Sequence, residues 1–100
     1  MKPSFLYQVR TWALQINNGR ELQDIYDHAK TEMVELKVEI ETDQPGEDGI
    51  TGEAMDVILC MMDLIIKQNP SITDAEFSEL AERKLRKWHT HYKDSIHRQR

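Results

Sequence analysis

Two acidic pairs are the residues of this chain whose type and spacing could do chemistry. Glu32 and Glu35 stand three apart in TEMVELKVEIE, and Glu53 and Asp56 stand three apart in GEAMDVILCMMDLII. Positions i and i+3 of a helix share a face, so each pair presents its carboxylates together. The second pair runs directly into Val57, Ile58, Leu59, Cys60, Met61 and Met62. A carboxylate at the edge of an apolar core is costly unless something neutralises it. Four such groups converging from two helices would suit a hard divalent cation, Mg²⁺ first and Mn²⁺ as a substitute. Spacing alone does not decide this. Glu21, Asp24 and Asp27 repeat it, as do Glu76, Glu79 and Glu82, and both sets read as solvated faces. What separates the two chosen pairs is the apolar stretch around them.

Helices must position those acids, and the apolar periodicity predicts four. The first runs from about Ser4 to Asn17 on Phe5, Val9, Trp12, Ala13 and Ile16, and Asn18-Gly19 stops it. The second, about Arg20 to Glu41, has the stripe Leu22, Ile25, Ala29, Met33, Leu36 and Ile40, with Glu32, Glu35 and Glu39 along one border. A loop follows over 42–49, containing Pro45 and two glycines. The third, about Thr51 to Gln68, is apolar on nearly every side apart from Glu53, Asp56 and Asp63. A helix of that kind is central in a bundle or lies in a subunit interface. Asn69-Pro70 ends it, and Thr73-Asp74-Ala75-Glu76 is a capping box for the fourth. That helix carries Phe77, Leu80, Ala81, Leu85, Trp88 and Tyr92 on one face to about Asp94, with Lys84 and His91 in the same stripe. The expected fold is an all-α four-helix bundle. Residues 1–95 form its single domain and 96–100 a frayed tail. The short connection between the second and third helices makes them antiparallel and brings the acidic pairs to roughly the same level.

Composition agrees. One hundred residues make one small domain with a thin core. Four Gly and three Pro disfavour a turn-rich β fold. The lone Cys60 excludes an internal disulfide and a cysteine zinc cluster, and it reads as a buried small hydrophobe in a reducing, cytoplasmic-type compartment. The run 57–62 is far shorter than a membrane span of about 20 residues, and no signal segment is visible at 1–10. Residues 21–63 hold 13 Asp+Glu against Lys30 and Lys37, whereas 83–100 hold seven Lys+Arg against Asp94. The overall charge of −5 argues against a nucleic-acid surface. The basic end is either a solvated helix end or a face turned towards the acidic centre and its anionic ligand.

At this point the chain resembles the MazG-like nucleoside triphosphate pyrophosphohydrolases. The family pattern is Glu-x-x-Glu, a spacer, then Glu-x-x-Asp. Here it reads Glu32-Met33-Val34-Glu35, residues 36–52, then Glu53-Ala54-Met55-Asp56, with an apolar continuation and a later basic helix from Lys84 to Tyr92. The chain departs at Thr31, where many members have a second Glu, and at Trp88 and His91, where many have Asn and Arg. The resemblance implies a homodimer or homotetramer cleaving (d)NTP to (d)NMP and pyrophosphate. It implies Glu32, Glu35, Glu53 and Asp56 as Mg²⁺ ligands, with one of Glu32 and Glu35 orienting the water. Lys84 would stabilise charge on the phosphate oxygens, with Lys87 beside it, unless it merely snorkels from the core edge or pairs with Asp63. Trp12 is the first candidate to stack on the base, ahead of Trp88 and Tyr92, and each also reads as core. A di-iron or di-manganese carboxylate bundle needs Glu-x-x-His, which this chain lacks. The alternative from another class is a non-catalytic helical dimerisation module with a vestigial metal site.

Overall fold

Three of the four helices begin where a local group satisfies a free backbone donor. The computed structural model describes residues 2–16, 19–42, 46 and 48–98, the last six by their backbone alone. The helices are α1 (Phe5–Gln15), α2 (Leu22–Glu41), α3 (Gly49–Gln68) and α4 (Asp74–Arg98). Ser4 Oγ accepts the Tyr7 N–H at 3.1 Å to cap α1. The Asp24 carboxylate accepts the Glu21 N–H at 2.8 Å before α2. Thr73 and Glu76 cap α4 reciprocally, the Glu76 N–H donating to Thr73 Oγ at 3.1 Å and the Thr73 N–H to Glu76 Oε1 at 3.0 Å. Gly19 (φ 74°) and Gly49 (φ 64°) sit at the entrances to α2 and α3, in the left-handed region where a side chain would be strained. Asn17, Asn18, residues 43–45 and 47, and Gln99–Arg100 lie outside the described residues. The expected end of the first helix, half of the 42–49 loop and the end of the frayed tail fall there.

The four expected helices are present, and no strand occurs among the described residues. Leu6, Met62, Ile66 and Ile72 form a core, with Val9, Ile65 and Phe77 against it. It joins α1, the second half of α3 and the start of α4. Two polar ties hold the same junction: Ser4 Oγ donates to Asp74 Oδ1 at 2.9 Å, and the Arg10 guanidinium donates to the Ile72 carbonyl. α2 lies along α3 and buries Ile25, 2% exposed, and Ala29. Its direction is antiparallel. Arg20, just before α2, meets Asp63 late in α3, while Glu32 and Glu35 within α2 meet Glu53 early in α3.

α1 and α2 both pack on α3, and α4 joins them only through its first turns. Beyond Ala81 the expected apolar face of α4 emerges into solvent, with Leu85 61%, Trp88 64% and Tyr92 56% exposed. The cause is length. α1 has 11 residues and α4 has 25, about 17 Å against about 37 Å, so α1 cannot accompany α4 to its end. The radius of gyration, 16.3 Å, exceeds the about 13 Å of a compact 100-residue domain. The α4 backbone also continues to Arg98 rather than ending near Asp94. α3 is apolar beyond its buried face, as its composition implied: Met55, Ile58, Leu59 and Met61 are all exposed.

Ser4 both caps α1 and links it to α4. We expect Ser4→Ala to lower unfolding stability by about 1 kcal/mol, read as a lower urea midpoint at unchanged slope. Asp74→Ala should then cost less in the Ser4→Ala background than alone. An unchanged midpoint, or strictly additive effects, would remove this tie from the account.

Candidate metal centre

The antiparallel contact of α2 with α3 brings three carboxylates together. One oxygen from each of Glu32, Glu35 and Glu53 lies within 4.8 Å of the others. Glu35 is exposed and Glu53 half-buried, while the Glu32 side chain is only 14% exposed. Glu32 Oε2 and Glu53 Oε2 are buried with no hydrogen-bond partner among the described residues. Such oxygens are normally satisfied, and leaving one bare costs about 1–3 kcal/mol or more. Asp56, the fourth expected ligand, is exposed and stands outside the 4.8 Å set. It acts on the centre through its charge.

The electrostatics follow from that crowding. Burial first, then the charge and hydrogen bond of Glu35, then the charge of Asp56, hold the Glu32 carboxyl above its ordinary value, with His28 opposing. Burial first, then Asp56, Glu35, Glu39 and Asp48, do the same to Glu53. Nearby cations are engaged elsewhere: Lys30 with Asp27, Lys37 with Glu41 and Arg20 with Asp63. Among the described residues the set is all-oxygen, with two bare buried oxygens and no Lys or Arg partner, the donor chemistry of a hard divalent cation.

A cavity of about 400 Å³ adjoins this centre. Phe5, Val9 and Trp12 of α1 line it together with Leu59 and Cys60 of α3, and its polar lining includes Gln8, Arg20, Asp63 and His28. His28 connects the two features, since its Nε2 is 3.3 Å from Glu32 Oε1. Arg20 grips Asp63 through two hydrogen bonds of 2.9 and 3.3 Å. Trp12 lines this cavity, although 67% exposed. Cys60 is buried, and burial, ahead of the charge of Glu32, raises its thiol, which fits a small hydrophobe rather than a nucleophile. Lys84 and Lys87 are exposed on α4, away from the cavity lining. Trp88 and Tyr92 stack on each other, ring centres 5.8 Å apart.

Arg20, Asp63 and His28 were not legible as site residues. Arg20 precedes its helix and carries no periodic signal. The one hint at His28 is its spacing of one helical turn from Glu32. Compared with family models, curated proteins and solved structures, the chain finds no match.

Glu32 and Glu53 bind protons more tightly in the folded chain than their ordinary value of 4.5. Their contribution to stability is therefore complete below that value and is lost as pH rises through the raised folded values. We expect Glu53→Gln to be as stable as the parent or more so at pH 7, with the difference closing as pH falls towards 4.5. Millimolar Mg²⁺ should raise the parent's melting temperature at pH 7 and leave that of the variant nearly unmoved. Thermal melts across pH check both. A parent indifferent to Mg²⁺ would mean that the three carboxylates hold no such ion.

Proposed function

We propose that this chain is a metal-dependent nucleotide pyrophosphohydrolase, splitting a nucleoside triphosphate into monophosphate and pyrophosphate as the MazG-like resemblance implies. One observation carries the reading: the convergence of Glu32, Glu35 and Glu53 with two bare buried oxygens. Glu32 and Glu35 are the Glu-x-x-Glu of the pattern, and Glu53 opens its Glu-x-x-Asp.

Physical chemistry supports it. A chain of net charge −5 repels a polyphosphate, and Mg²⁺ when bound would neutralise phosphate charge and acidify a water. Glu32, Glu35 and Glu53 would hold the ion, and Asp56 would add to the field that favours it. His28 Nε2, 3.3 Å from Glu32 Oε1, stands between the centre and the adjoining cavity. The adjoining cavity is of the size and mixed polarity that holds a small planar ligand. Phe5 and Trp12 would cover the base, and Gln8, Arg20 and Asp63 would meet its polar edge. We place the active species as at least a homodimer, because Met55, Ile58 and Leu59 leave α3 partly bare. No helix among the described residues is long and apolar enough to cross a membrane.

A panel of ribo- and deoxyribonucleoside triphosphates with Mg²⁺, assayed for pyrophosphate and orthophosphate separately, tests the reading. We expect pyrophosphate release, strict dependence on the ion, and a loss in Glu53→Gln of at least about 100-fold in kcat/KM, within the range of transition-state charge stabilisation. Orthophosphate as the product would reject this chemistry. Absence of turnover together with no Mg²⁺-dependent stabilisation would favour the helical interaction module.

A further inference from the structure

The cavity beside the acidic centre is lined by polar groups whose spare hydrogen-bonding capacity can be counted. Phe5 and Trp12 bring aromatic rings to it, and Gln8, Arg20 and Asp63 bring polar atoms. The Gln8 amide nitrogen donates to the Pro3 carbonyl at 2.9 Å, which leaves the amide oxygen to accept. Arg20 donates once to each Asp63 oxygen, at 2.9 and 3.3 Å, and its Nε is buried. A carboxylate has about four acceptor positions, so Asp63 can still accept once Arg20 is served. The Asp63 side chain is only 17% exposed, so a ligand in the cavity, rather than bulk water, is placed to use that capacity. Position along α3 matters as well. Glu53 and Asp63 are ten residues apart on that helix, about 15 Å along its axis. The cavity therefore has an end near the acids, at His28, and an end remote from them, at Asp63.

We propose that Asp63 makes this cavity selective for bases with an amino group at the edge remote from the sugar, cytosine and adenine, over their oxo counterparts uracil and hypoxanthine. The orientation rests on the proposed nucleotide reading: with the phosphates at the acids, the remote edge of the base turns towards Asp63. An amino group there donates to the carboxylate, and the Gln8 oxygen adds a second acceptor at the same cavity. A carbonyl oxygen in its place brings one acceptor against another and leaves the carboxylate unserved. A site built to receive an N–H rejects the analogue that lacks it far more strongly than a merely apolar pocket can. Arg20 has the positioning role, since its two hydrogen bonds fix the plane of the Asp63 carboxylate.

Two matched pairs of nucleosides isolate the one group in question: cytidine against uridine, and adenosine against inosine. Each is titrated into the isotope-labelled parent protein without metal, and the amide shifts of Val9, Trp12 and Leu59 report occupancy of the cavity. We expect cytidine and adenosine to bind at least about tenfold more tightly than their partners, the discrimination of one charge-assisted hydrogen bond. Asp63→Asn offers a donor and an acceptor together, and should bring each pair to within about twofold. The comparison within the parent needs no variant, so it stands even if Asp63→Asn does not fold. Equal binding within both pairs, or no shift at the cavity with any nucleoside, would overturn the proposal. A preference for uridine and inosine would overturn it too, and would show that Arg20 rather than Asp63 meets the base. Turnover separates this inference from the reading beneath it. Nucleosides that bind with the expected preference, while CTP and ATP with Mg²⁺ release no pyrophosphate, would uphold the selectivity and sink only the enzymatic reading. Pyrophosphate released from CTP and UTP at equal kcat/KM would uphold the enzyme and sink the selectivity.

Discussion

Antiparallel contact between α2 and α3 forces three carboxylates into one another's field, and the rest of the structure bears on that constraint. The contact is driven by apolar burial around Ile25, Ala29 and Cys60. Its register leaves one oxygen each of Glu32 and Glu53 buried without a hydrogen-bond partner among the described residues. Unpaired buried charge opposes folding, so the apolar contact must outweigh it when no cation is present. Such tension is usual where a fold keeps a site ready for a ligand. Arg20 and Asp63 show the contrasting solution at the other end of the same helix pair, where the charges are matched within the chain.

The helices were largely legible in the sequence because their apolar periods and end signals agree. Thr73 with Glu76 caps the fourth helix as its sequence indicated, Ser4 stands at the expected start of the first, and Gly19, expected to stop the first helix, sits at the entrance to the second. The acidic centre was legible for a different reason. Glu53 opens a stretch too apolar to lie in solvent, so its carboxylate had to be either matched or crowded. Asp56, on the same spacing argument, should have joined it. On the helix it turns further towards solvent than Glu53 and contributes only its charge. The partner of Asp63 was not legible. Periodicity assigns residues to faces, and it is silent about a side chain such as Arg20 that arrives from outside a helix.

The same limit explains α4. Its stripe from Phe77 to Tyr92 is continuous in sequence, and nothing in the period marks where cover ends. Cover ends because α1 is short and because the ties at Asp74 and Ile72 fix the direction in which α4 leaves. Lys84 therefore stands in an apolar stripe that is bare in a single chain. The separation of acids on α2–α3 from bases on α4 is a property of composition.

The most direct test of the central claim is a Mn²⁺ titration followed by amide resonance broadening in the labelled protein. Mn²⁺ can take the place of Mg²⁺ among oxygen ligands, and its paramagnetism reports position. Two other acidic runs, Glu21 to Asp27 and Glu76 to Glu82, serve as internal controls with the same spacing. The account predicts that substoichiometric Mn²⁺ broadens the amides around Glu32, Glu35 and Glu53 first and leaves the control runs sharp. Equal broadening of all three acidic regions would show that the convergence of α2 and α3 confers no site, and would contradict it.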